Sequence, residues 1–126
     1  SHPAVASVNY PRLQTGNAAR RAHAYLRGGY GGLVGFELKD SFAAGQAFIN
    51  ALKLFYHVAN IGDARSLAIH PASTTHSQLA ADEQRDLGVT EGHVLLSVGI
   101  EHIDDIITDL SQALDAAAGA LSAAAK

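Results

Sequence analysis

The sequence predicts an α+β domain. Short runs with period-two hydrophobicity, clearest at Leu33–Leu38, alternate with segments whose apolar residues recur every three or four positions, clearest from Ile103 to Leu114. The 126 residues suit one domain, and a domain of that length buries roughly two-thirds of the surface its unfolded chain exposes. With 48% hydrophobic and 17% charged residues, the chain has the apolar content for one core.

The elements follow in order. Val5–Tyr10 alternates as a strand and is stopped by Pro11, which has no N–H for a sheet ladder. Residues Asn17–Arg27 read as a helix, with Asn17 as N-cap and Gly28 as terminator. The run from Gly28 to Gly32 looks like a phosphate loop, but a strand follows it where an anion site needs a helix N-terminus, so a turn is expected. Leu33–Leu38 is then a strand and Ser41–Leu52 a helix, with Phe42, Phe48, Ile49 and Leu52 near one face. Leu54–Val58 and Ser66–Ile69 read as short strands separated by the Asn60–Asp63 turn, where Gly62 supplies a positive φ. After Pro71 comes a polar loop, a short helix at Ala80–Leu87 ended by Gly88, and a strand at His93–Val98. In the final helix, Ile103, Ile106, Ile107, Leu110 and Leu114 are expected to form one buried stripe. Glu101, Asp104 and Asp105 read as solvated carboxylates at its positive end rather than as acid/base catalysts. Ala116–Lys126 continues the helix by propensity, with little to pack.

Several function classes are disfavoured. A net charge of −3 offers no clustered basic footprint for nucleic acid. No window approaches the roughly 18 continuous apolar residues of a membrane span, and no signal-like segment leads the first strand, so a cytoplasmic setting is expected. Zero cysteines remove thiol catalysis and disulfides. The seven histidines include the pairs His70/His76 and His93/His102, but no HExxH or Cys/His framework surrounds them and no metal is expected. No GxSxG elbow supports serine catalysis.

Five blocks carry a family likeness. VNYPRL (Val8–Leu13), GGLVGFELK (Gly31–Lys39), FINALKLFYHVAN (Phe48–Asn60), NIGDARSLAIHPASTTH (Asn60–His76) and HVLLSVGIEHIDDII (His93–Ile107) occur in order over almost the whole chain. Together they resemble the Cys/Met-metabolism family of pyridoxal-phosphate enzymes, and within it the C-terminal domain of the O-acetylhomoserine sulfhydrylases. The resemblance implies that residues 1–126 form the small C-terminal domain of an aspartate-aminotransferase-like, fold type I enzyme, with a mainly antiparallel sheet covered by helices. It further implies a larger N-terminal domain as partner, a homo-oligomeric, tetrameric enzyme of methionine biosynthesis, and replacement of the acetyl group of O-acetylhomoserine by sulfide. Cystathionine γ-synthase and methionine γ-lyase share that architecture, and a noncatalytic module retaining the fold is the alternative of a different class.

The family's cofactor-bonding lysine lies upstream. Lys39, Lys53 and Lys126 all lack its context, so pyridoxal phosphate is expected in the full-length enzyme and the isolated chain is expected to be inactive. The family holds the substrate α-carboxylate between its domains, and the matching positions here are substrate-binding candidates. Asn60 offers a side-chain amide in the turn before the GDARSL strand. Arg65 either serves the mouth of the site or covers the surface beside Asp63. Ser73 lies in the family's entrance loop, where its hydroxyl also suits an irregular backbone. Leu95 stands in the arginine slot of the family's V-R-L-S-V-G strand, and leucine offers no bidentate donors to a carboxylate.

Overall fold

In a computed structural model, residues 2–39, 42–87 and 89–124 are described. Strands β1 (Val5–Asn9), β2 (Leu33–Leu38), β3 (Tyr56–His57), β4 (Leu67–Ile69) and β5 (His93–Ser97) form one sheet in the order β1-β2-β5-β4-β3. The pairings β1–β2, β2–β5 and β5–β4 are antiparallel, and β3–β4 is parallel. The sheet is therefore mixed but mainly antiparallel, as expected of the α+β class. Helices α1 (Gly16–Tyr25), α2 (Phe42–Ala51), α3 (Ala81–Asp86) and α4 (Ile103–Ala124) complete the fold with two short 3₁₀ turns at Pro11–Leu13 and Pro71–Ser73.

Strand alternation divides the sheet into two faces. Phe36, Leu38, Ala68, Val94 and Leu96 point into the core beneath α2 and α4, where Phe48 and Ala113 are fully buried and the Phe36 and Phe48 rings meet edge to face at 5.3 Å. Small residues line the closely packed helices, Ala44 on α2 and Ala113 and Ala117 on α4, so their backbones approach closely, while Gly45 on α2 makes room for the His70 ring.

Asp109 joins these layers. It is buried on α4, and its carboxylate accepts hydrogen bonds from the backbone N–H groups of Lys53 (2.9 Å), Leu54 (2.8 Å) and Phe55 (3.2 Å) and from the Gln112 amide (3.0 Å). Burial opposes its ionisation, but those donors outweigh burial and hold its pKa below the usual carboxylate value. The expected strand Leu54–Val58 accordingly shrinks to Tyr56–His57, because Asp109 takes the amides that a longer ladder would use.

Other expectations shift. The first helix spans Gly16–Tyr25 with Thr15 at the N-cap, while Asn17 sits inside it and accepts from Arg20; Gly28 follows the end of the helix by three residues. Phe42 is 37% exposed, and Leu52 lies beyond α2, half-buried against the core. In α4 the expected stripe holds in part: Ile106 is buried and Leu110 and Leu114 pack half-buried against the core, but Ile103 and Ile107 are more than half exposed, and Asp109, Ala113 and Ala117 are buried instead. Ala117 is fully buried within the alanine-rich segment, which therefore packs more than anticipated. Gly62 has φ +77°, as the turn reading requires. Ser41 and Gly88, the expected start and stop of two helices, lie outside the described residues.

Candidate functional site

The second face of the sheet carries Gly35 and Glu37 on β2, His93, Leu95 and Ser97 on β5, and Leu67 and Ile69 on β4. Leu95 lies at its centre, paired with Gly35 on one side and Ile69 on the other, and is half-buried. Gly35 leaves a shallow place beside it, since a Cβ there would meet the His93 ring at 3.3 Å. His93 is fixed by Glu37, Nδ1 to Oε1 at 2.9 Å, and Glu37 also accepts from the Thr90 hydroxyl at 2.5 Å. The surface around Leu95 is thus polar towards β1 and apolar towards β4.

The Asn60 turn is brought to this face. The Gly62 N–H donates to Ser97 Oγ at 3.0 Å, two residues along β5 from Leu95 and on the same side. Asn60 Oδ1 accepts from the Ile61 N–H at 2.9 Å, so its carbonyl shapes the turn while the exposed side chain retains an amide with two donors. Arg65 is exposed and stacks over the Tyr56 ring at 4.9 Å, while its backbone N–H donates to Asp63 at 3.0 Å.

Ser73 belongs to a different environment. Its hydroxyl meets His70 Nδ1 at 2.8 Å, and His70 is buried on the α2 side of the sheet, with Nε2 against the Glu91 carbonyl at 2.6 Å. Burial lowers the pKa of His70, which favours the neutral tautomer in which Nε2–H donates to Glu91 and Nδ1 accepts from Ser73. Ser73 and the neighbouring Thr74, whose hydroxyl donates to the His70 carbonyl at 2.8 Å, hold the turn after β4. The Gly62–Ser97 bond ties the Asn60 turn to the end of β5, two residues from Leu95, and Ser73 turns towards the other face.

Sequence reasoning missed the junction that positions β4, β5 and α4. Ser66 is fully buried; its N–H and hydroxyl donate to Glu101 at 2.7 and 2.8 Å, and its oxygen accepts from the Gly99 N–H at 2.9 Å. The Ser66 N–H, above all, draws the Glu101 pKa down. Glu101 is therefore an anchored structural carboxylate and not a solvated one, unlike the exposed Asp104 and Asp105. Glycine is needed at position 99, because a Cβ would lie 2.4 Å from the Ala64 carbonyl oxygen. The SL pair followed by a GIE segment was the available signal, but spacing alone does not show that these residues meet.

The residues do not fit a pyridoxal-phosphate site. Lys39 and Lys53 are exposed, Lys126 lies outside the described residues, and the Gly28–Gly32 turn leads into β2 rather than a helix that would receive a phosphate. Among the described residues no three His, Asp or Glu side chains converge as a metal-binding group, and no helix is long and apolar enough to cross a membrane.

Comparison with known proteins adds the chemical context. A family profile described as Cys/Met metabolism PLP-dependent enzyme matches residues 1–115. The chain is 54% identical to an O-acetyl-L-homoserine sulfhydrylase from Leptospira meyeri over 114 residues, covering 90% of this chain and 26% of that protein. It is 45% identical to an L-methionine gamma-lyase from Pseudomonas putida over 116 residues, covering 92% and 29% respectively. A Campylobacter jejuni crystal structure, assigned as an O-acetylhomoserine (thiol)-lyase and containing a pyridoxyl-lysine phosphate, superimposes with a TM-score of 0.80 at 41% identity, over 91% of this chain and 27% of that one. The chain spans about a quarter of the length of these relatives.

Proposed function

The chain belongs to the Cys/Met metabolism PLP-dependent enzyme family, and from that premise we propose that it is the C-terminal, substrate-facing domain of an O-acetylhomoserine sulfhydrylase. The observation that carries this reading is the 54% identity to the Leptospira meyeri sulfhydrylase, against 45% for the Pseudomonas putida methionine gamma-lyase. In the complete enzyme the Cγ–O bond of O-acetylhomoserine breaks, acetate leaves and sulfide forms the new Cγ–S bond of homocysteine. Pyridoxal phosphate supplies the electron sink and is held by the larger domain, since the residues present here do not fit it.

The contribution of this chain is recognition. The second face of the sheet closes over the substrate, with the Asn60 amide donating to the α-carboxylate and Leu95 at the centre of the same face. Arg65, at the exposed edge near Tyr56, supplies the cation that Leu95 does not. Ser73 supports this arrangement by holding the loop after β4, and does so through His70. The complete enzyme is a cytoplasmic homo-oligomer.

A specific observation favours a second reading. Leu95 presents no carboxylate-binding group at the centre of the face, which suits a noncatalytic module that has kept the fold. The two are separated by assaying the full-length protein, loaded with pyridoxal phosphate, for homocysteine from O-acetylhomoserine and sulfide and for methanethiol from methionine. Homocysteine formation as the dominant activity supports the sulfhydrylase; dominant methanethiol release supports a lyase, and neither product supports the module.

A further inference from the structure

On the open face of the sheet one imidazole is firmly held at one nitrogen and unpartnered at the other. His93 stands on β5 two residues before Leu95; its Nδ1 is fixed by Glu37, and Glu37 is fixed in turn by the Thr90 hydroxyl. The ring leans over Gly35, since a Cβ there would lie 3.3 Å from Cε1 and 3.7 Å from Nε2. Among the described residues nothing bonds to Nε2.

Asn9 forms the second wall. It pairs with Gly35 from β1, and its Cβ is 3.7 Å from the same point above that glycine. Its Oδ1 accepts from the Gln14 amide at 2.6 Å, which leaves the two N–H donors of its own amide uncommitted. Gly35 does not have a positive φ, so its backbone does not demand glycine; what the missing side chain provides is space. The result is a small notch floored by Gly35, with an imidazole and an amide at its sides. Leu95 separates it from Ser97, where the Asn60 turn reaches the face, because His93 and Ser97 lie two residues to either side of Leu95, about 13 Å apart along the strand.

We propose that this notch is an acyl subsite: His93 Nε2–H and the Asn9 amide donate to the acetyl group of O-acetylhomoserine and to the acetate that departs. The inference rests on the sulfhydrylase reading and assigns the opposite end of the substrate from the one given to Asn60. The substrate carries a carboxylate at one end, an ester at the other and methylenes between, and the face offers donors on both sides of an apolar Leu95. When the Cγ–O bond breaks, its electron pair stays on oxygen, and the charge that appears there meets the protonated ring and the amide. Acetate leaves as a carboxylate and takes no proton at neutral pH. Glu37 is a positioning residue: it holds Nδ1–H, so that Nε2 is the nitrogen turned to the notch, and it balances the charge of the ring.

The full-length protein, loaded with pyridoxal phosphate, is titrated with acetate and followed by ligand-observed NMR. Saturating L-2-aminobutyrate, which has the α-carboxylate and no acyl group, fills the other end of the site. Parent, His93→Gln and Gly35→Ala are compared, with thermal melting to confirm that each is folded. Acetate binding is expected to be at least tenfold weaker in both variants, while the affinity for L-2-aminobutyrate alone is unchanged. In the parent, acetate binding should weaken between pH 6 and 8.5, because the anion uses the second proton of the ring, and His93→Gln should lose that trend. Glu37 is the charged group that meets the ring; β1 presents the uncharged Asn9, β4 the apolar Ile69, and His70 is neutral on the opposite side of the sheet. Equal acetate affinity in all three proteins overturns the proposal. So does an equal loss of L-2-aminobutyrate binding, which would place the α-carboxylate in the notch. Homocysteine formation is assayed separately: a protein that makes homocysteine and binds acetate indifferently to His93 defeats this inference and leaves the function intact, whereas the expected acetate pattern without homocysteine keeps the subsite and removes the sulfhydrylase.

Discussion

The two faces of the one sheet are built on different terms. Towards α2 and α4, Phe36, Val94, Leu96 and Phe48 are closed off from water, and the polar groups admitted there, Asp109 and His70, have every hydrogen-bonding position occupied by a fixed partner. On the opposite face Leu95, His93 and Glu37 remain half-exposed, and the Asn60 turn reaches it through one bond from Gly62 to Ser97. The difference teaches where substitutions act: the closed face sets whether the domain folds, and the open face sets what it meets.

The largest effect is expected at the closed face. Asp109→Ala removes the acceptor for three backbone N–H groups in a part-buried turn, of which that of Phe55 is buried, so a loss of about 3 kcal/mol is expected, the scale of leaving a buried donor unpaired and losing bonds to a charged group. Urea unfolding measures it. Because the pKa of Asp109 is lowered in the folded state, its stabilisation is fully present above the unfolded carboxylate value near 3.8 and disappears as pH falls through the lower folded value. A variant as stable as the parent would erase the distinction between the faces.

His70 sharpens the same comparison with a smaller effect. Its pKa is lowered from 6.5 by burial, so the unfolded chain takes up a proton before the folded one does. Stability should be constant above about pH 6.5 and decline as pH falls from there towards the folded value. Denaturation at pH 7.5 and 5.5, compared with His70→Gln, isolates this contribution from other groups that titrate in the window. An identical pH dependence in the variant would mean that His70 is not held neutral by the closed face.

Much of this was legible in the sequence, and the reasons for the failures are physical. Leu33–Leu38 keeps the bounds that its hydrophobic alternation predicts, and Gly62 has the positive φ that selects glycine in the turn. The α4 stripe is displaced because, Ile106 apart, its most buried positions are alanines and one aspartate, which hydrophobicity ranks below Ile103 and Ile107. Leu54–Val58 looked like a strand because its side chains suit one, while the partner of its backbone lies 54 residues away in Asp109. At the site, likeness to a family alone puts Asn60 and Leu95 in one region, and the Gly62–Ser97 bond ties the Asn60 turn to the strand that carries Leu95. The Ser66–Glu101 junction was invisible because neither residue carries a local signal that it will be buried.

The open face carries the central functional claim, and a single substitution tests it. In the full-length enzyme, Leu95→Arg places a guanidinium at the centre of the face, where a bidentate pair with the substrate carboxylate becomes available. The change should leave folding intact, because Leu95 is only half-buried. The measurement is kcat/KM for O-acetylhomoserine and for its carboxamide analogue in the parent and in the variant. Preference for the carboxylate should rise by about 1.5 to 3 kcal/mol, the scale of a hydrogen bond to a charged group, or by less where Arg65 already supplies a cation. An unchanged preference in a folded variant would mean that Leu95 does not face the substrate carboxylate.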